Sequence, residues 1–234
     1  MLNKKFTLLN PFRVMGYESE EIIPAGGLGA VSAQAGVGKT ALLVQLAINS
    51  MLRGKKVLHI SLNDPVNKVS LWYNELFNNI ARQAGLEGLN ETWEAILPNR
   101  LIMTFKVEGF NVPKLKERLY DLIVQNIFLP EIIIIDGLKF NNKEASETIE
   151  SLKAMAEKHA MRLWFTVHTR PKEEPGDVPP SLLPLLHLFD CVFTLQHERG
   201  EICIKPLSGR AVAVKPLSLD PATMLIKNQA LTAS

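Results

Sequence analysis

Apolar and polar positions follow two rhythms along the chain. Short apolar runs bounded by Gly, Pro, Asn or Asp read as strands, and longer stretches with apolar residues three or four apart read as helices. Residues 28–33 make the first strand-like run and residues 41–52 the first helix-like run. Residues 56–62 read as a second strand, ended by Asn63-Asp64-Pro65. Val69, Trp72, Leu76, Phe77 and Ile80 then recur at helical spacing, with Gly85 as the stop. Residues 101–105 predict a third strand. Asn111 predicts a helix cap ahead of Pro113, with Leu115, Leu119, Leu122 and Ile123 on one face. Residues 131–136 hold four consecutive isoleucines, the pattern of a strand covered on both sides. Ile149, Leu152, Met155 and Ala156 mark another helix, and residues 161–167 another strand. From about Asp190 the pattern changes to short strands around Arg199-Gly200, read as an antiparallel edge or hairpin. Alternation of this kind predicts an α/β fold: a mostly parallel twisted sheet with helices on both faces and an antiparallel C-terminal edge.

Composition narrows the class without naming a function. Hydrophobic residues make up 47% and charged residues 21% of 234, which suits a globular chain with a large core. We read residues 1–21 as an N-terminal extension and 22–234 as one domain. A net charge of +2 does not by itself call for a nucleic-acid partner. Cys191 and Cys203 are the only cysteines, no signal-peptide layout opens the chain, and every apolar run is of strand length. The expectation is a reduced, cytoplasmic protein with no membrane span.

Candidate chemistry begins at Ala33-Gln34-Ala35-Gly36-Val37-Gly38-Lys39-Thr40, between the first strand and the first helix. This is the context a phosphate-binding loop needs. Gly36 and Gly38 let the backbone curl so that successive N–H groups form an anion nest at the positive end of the helix. Ala35, Gly36, Val37, Gly38, Lys39, Thr40 and Ala41 are the expected nucleotide-binding residues. Lys39 would meet the β- and γ-phosphates, and the Thr40 hydroxyl would complete a magnesium shell. The first motif position is Ala33 in place of Gly, which the end of a strand tolerates. The bland alternative is a Gly-rich turn before a core helix. Asp136, closing the isoleucine strand, is the second expected magnesium residue, against the alternative that it only starts the Asp136-Gly137 turn.

The order Gly26-Gly27-Leu28, phosphate loop, Ser61-Leu62-Asn63-Asp64-Pro65, Ile135-Asp136 and Val167-His168-Thr169-Arg170 resembles the RecA-type P-loop ATPases. Within them it looks most like the branch of plasmid RepA-type hexameric helicases, with the DnaB and KaiC groups further away. The resemblance runs from roughly residue 22 to residue 210. It implies a RecA-like fold, ATP with Mg2+, and a homo-oligomer of the hexameric kind with the site at the subunit interface. Where that branch ends its second strand with Glu-Asp-Pro, this chain has Asn63, an amide that cannot accept a proton at neutral pH. Asn63 could still orient a water, Asp64 could substitute from the next position, or the alignment could be one residue off. Loss of a general base typically costs 10² to 10⁴-fold in rate, so binding should survive while hydrolysis is slow.

His168 falls where the resemblance implies a sensor of the γ-phosphate, although a histidine at a strand end is often only solvated. Arg210 is the candidate finger into a neighbouring subunit's nucleotide, with Lys205 as the alternative, and either could be an edge-strand charge in solvent. Between His168 and Pro180, Arg170 and Lys172 are outweighed by Glu173, Glu174 and Asp177, which disfavours a phosphate backbone. Lys139 and Lys143 around Phe140 are the better candidate nucleic-acid contact. Two functions compete: a nucleotide-gated regulatory module with little turnover, or an ATP-hydrolysing motor on single-stranded DNA. A small-molecule kinase is weaker, because no arginine-rich lid segment is evident.

Overall fold

The computed structural model describes residues 21–83, 85, 88–106, 109–140, 144–170, 177–209 and 217–227. One sheet organises them. Its strands are β1 (Leu28–Ala33), β2 (Val57–Ser61), β3 (Arg100–Thr104), β4 (Ile132–Asp136), β5 (Arg162–His168), β6 (Cys191–Glu198), β7 (Glu201–Gly209) and β8 (Leu217–Leu219). They lie in the spatial order β3-β2-β4-β5-β1-β6-β7-β8. The first six of that series run parallel, and β7 and β8 run antiparallel to their neighbours. The helices are α1 (Lys39–Leu52), α2 (Val66–Gln83), α3 (Leu89–Ile96), α4 (Val112–Val124) and α5 (Ala145–Lys158).

The isoleucine strand explains how the layers close. Strand side chains alternate between faces, so Ile132 and Ile134 enter the core under α1 and α2, while Ile133 and Ile135 enter the core under α4 and α5. Covering both faces removes all four side chains from water, at roughly 1.5–3 kcal/mol for each fully buried aliphatic side chain. Local signals agree with this packing. The Asn111 side chain accepts a hydrogen bond from Lys114 N at 2.9 Å, capping α4. On β2, buried His59 places Nδ1 3.2 Å from the Tyr73 hydroxyl of α2, and burial pulls its pKa down to about 4, so the ring is neutral at pH 7.

The C-terminal edge is antiparallel and its hairpin turns at Arg199-Gly200, as expected, but it differs from the expected pattern in two details. β6 runs parallel to β1 and extends the parallel sheet, so the antiparallel part begins only at β7. The hairpin strands are also long, with 8 and 9 residues. Residues 217–227 then return over the first helices. Gln45 of α1 is buried, donates from Nε2 to Met224 O at 2.6 Å and accepts from Ile226 N at 3.1 Å through Oε1. Asn79 of α2 donates to Thr223 O at 3.1 Å. Residues 1–20, most of the expected extension, lie outside the described residues; Glu21 pairs with Arg53 and Lys55, each at 2.7 Å. Among the described residues no helix is long and apolar enough to cross a membrane.

Candidate functional site

Parallel strands with helical crossovers bring the ends of β1, β2, β4 and β5 to one rim of the sheet, where ligands bind in open α/β folds. A cleft of about 750 Å3 opens there. Its walls come from the loop after β1, the residues after β2, and the ends of β4 and β5.

The loop is built by its backbone angles. Gly36 and Gly38 have φ of 78° and 106°, a region that side-chain-bearing residues rarely adopt, and the second leads directly into α1. Ala35 and Gly36 line the cleft, Val37 and Ala41 turn into the core, and Lys39 and Thr40 line the cleft from the first turn of α1. α1 carries no acidic residue in that turn and no side-chain cap, so the N–H groups and dipole at its start are left for an anion. Lys39 Nζ donates to Ala33 O at 2.8 Å and to Gln34 O at 2.7 Å, which folds its ammonium over its own loop. Burial lowers its pKa to about 8, and the nearby Asp136 carboxylate partly opposes that shift.

Asp136 meets α1 across the sheet although β5 separates β1 from β4. Thr40 Oγ1 donates to Asp136 Oδ2 at 2.7 Å. The other carboxylate oxygen accepts from Thr166 Oγ1, also at 2.7 Å, and Thr166 in turn accepts from Gly137 N at 3.0 Å. One carboxylate and one hydroxyl are hard oxygen donors that suit magnesium, which usually takes one or two carboxylates and completes its shell from phosphates and water. The donor set therefore fits the ion, with Thr40 and Asp136 as the residues to hold it.

Asn63 is exposed and lines the same cleft. Its amide lies against Gly137: a Cβ built on that glycine would come within 2.2 Å of Asn63 Nδ2, so only glycine leaves the amide its position. Asp64 also lines the cleft, with Oδ1 accepting from Lys68 Nζ at 2.7 Å and its own N donating to Ser61 Oγ at 3.0 Å. His168 ends β5 in register with Ala33, beside the start of the loop, and is exposed to the cleft with Arg170.

Arg210, Lys143 and Lys172 lie outside the described residues. Lys205, on β7, forms an ion pair with Glu198 across the β6–β7 hairpin. Phe140 is only 7% exposed and packs against Phe165 and Phe189, so its ring is a core element and no platform for stacking a base. Lys139 remains exposed on the cleft wall. Thr166 and Ser61 join the cleft without having been singled out, since each reads in sequence as an ordinary strand residue. A family model described as an AAA domain matches residues 16–174, about two thirds of the chain and every strand from β1 to β5. No curated protein matches the sequence.

Proposed function

The chain belongs to the AAA domain family, a P-loop ATPase class that binds ATP, and from that premise we propose that it is a magnesium-dependent nucleotide switch with slow turnover. The reading rests on the pairing of Thr40 with Asp136 at 2.7 Å in a cleft that also holds Lys39 but presents Asn63 where a general base is expected. Thr40 and Asp136 would hold the magnesium ion, which when bound would supply positive charge against the negative charge of the phosphates. The loop backbone and the start of α1 would hold the triphosphate, Lys39 would leave its loop carbonyls for the phosphates, and Asn63 would orient a water without taking its proton. Asp64 is the alternative to Asn63, with its carboxylate engaged by Lys68 at 2.7 Å. The protein would then act through assembly with its own copies, in the manner of the RepA-like branch, with Arg210 as the residue reaching the neighbouring site.

A second reading, a motor on single-stranded DNA, is favoured by His168, which stands beside the loop in register with Ala33 as a γ-phosphate sensor would. ATP turnover of the purified protein with and without single-stranded DNA separates the two. The switch binds nucleotide with little turnover in either case, and DNA-stimulated hydrolysis would replace it by the motor.

Lys39 gives the switch a pH dependence of definite sign. Its pKa of about 8 applies to the ligand-free protein, and a bound triphosphate raises it by stabilising the charged form. Affinity is therefore level below pH 8 and falls as pH rises above it, by up to tenfold per pH unit until the bound-state pKa is reached. Calorimetry at pH 9 in two buffers of different ionisation enthalpy should record proton uptake on binding. A flat affinity between pH 7.5 and pH 9.5 would contradict this.

A further inference from the structure

We propose that Thr166 is a positioning residue that acts through Asp136 to set how tightly the nucleotide complex takes magnesium. The assignment rests on the magnesium-dependent reading above and goes beyond it by naming a residue outside the phosphate loop.

The direction of the hydrogen bonds carries the argument. Thr166 lies on β5, one residue beyond the Ile135–Phe165 pair that joins β4 to β5, which brings its side chain alongside Asp136. It is 3% exposed. A hydroxyl has one proton and two lone pairs. Gly137 N can only donate, and it donates to Thr166 Oγ1 at 3.0 Å, so the hydroxyl proton is left for Asp136 Oδ1 at 2.7 Å. Thr40 holds the second carboxylate oxygen at 2.7 Å. Hydroxyls from α1 and β5 thus fix both ends of one carboxylate, and with them the direction in which its remaining lone pairs face the cleft.

Packing alone does not explain threonine here. Its strand neighbours Trp164, Phe165 and Val167 are apolar and buried, and valine has the same shape without the cost of burying a hydroxyl. What threonine adds is the chain from Gly137 N–H through its own O–H to the carboxylate. Outer partners of this kind typically change metal affinity or activity by about 10–100-fold when removed.

The test is nucleotide affinity measured by calorimetry with a non-hydrolysable ATP analogue across a magnesium titration, with thermal melts alongside. Thr166→Val should raise the magnesium concentration at half-effect by about 10–100-fold and leave metal-free nucleotide affinity unchanged. Thr166→Ser should return the midpoint to near wild type. In an Asp136→Asn background, Thr166→Val should add nothing further, because the two act as one unit. If Thr166→Val melts early, Thr166→Ala read against Thr166→Ser carries the same comparison. A wild-type midpoint in the Val or Ala variant, no rescue by Ser, or full additivity with Asp136→Asn would each overturn the assignment while leaving the nucleotide reading intact. A wild-type protein whose nucleotide affinity ignores magnesium would overturn both.

Discussion

Replacing Lys39 by alanine should lower ATP affinity by at least 100-fold while leaving the fold as stable as before, or more so. Removing one member of a buried hydrogen-bonded charge pair costs about 2–5 kcal/mol of binding, and the triphosphate would lose its nearest full positive charge. Stability moves the other way because burial already pulls the Lys39 pKa down to about 8, so the charged amine is held at a cost in the ligand-free protein. Of the two backbone carbonyls it contacts, that of Ala33 also accepts from Thr169 N at 3.0 Å and keeps that partner, and that of exposed Gln34 can bond to water instead. Isothermal calorimetry and a thermal melt on the same sample check both halves. Unchanged affinity in a well-folded Lys39→Ala protein would remove the phosphate loop from the account.

Replacing Asn63 by glutamate should raise ATP turnover by about 10² to 10⁴-fold, the usual contribution of a positioned general base. The expected change is in kcat, with KM nearly constant, because the residue acts on the attacking water and makes no phosphate contact in this reading. Space for the longer side chain exists on the cleft side, where Asn63 is exposed and backed by Gly137. Steady-state phosphate release is the measurement, with Asp64→Asn as a parallel variant. Equal turnover in wild type and Asn63→Glu would show that a missing base is not what limits the reaction. Loss of wild-type turnover in Asp64→Asn would instead identify Asp64 as the base despite its pairing with Lys68.

The parts of the site that could be read from sequence are those written in contiguous residues. The loop from Ala33 to Thr40 announces itself because its glycines, lysine and threonine must be neighbours along the chain. Asp136 is legible because a carboxylate ending four isoleucines has to emerge at the rim of the sheet. Strand order is different, since the placement of β5 between β1 and β4 depends on pairings far apart in sequence. Thr166 is hidden for the same reason. Threonine is a good strand former on β-propensity alone, and nothing within a few residues distinguishes a hydroxyl aimed at Asp136 from one chosen for the strand. Phe140 misled because a local pattern of lysines around an aromatic says nothing about the rings of Phe165 and Phe189 that bury it. α3 escaped because it is only eight residues long: Leu89, Trp93 and Ile96 recur at helical spacing against the core, but the pattern is too short to stand out from the loop residues around it.

Gln45 ties the two ends of the described chain together. Its amide clasps Met224 O and Ile226 N from the same helix that begins with Lys39 and Thr40, and Leu219 and Met224 lie against Gly38. Peeling the tail away would strand a buried amide and uncover the base of α1, so tail and loop should fray and re-form as one cooperative unit. Whatever grips the phosphates therefore also stiffens a stretch of chain almost two hundred residues downstream, and tension applied to that tail would be felt as a looser grip.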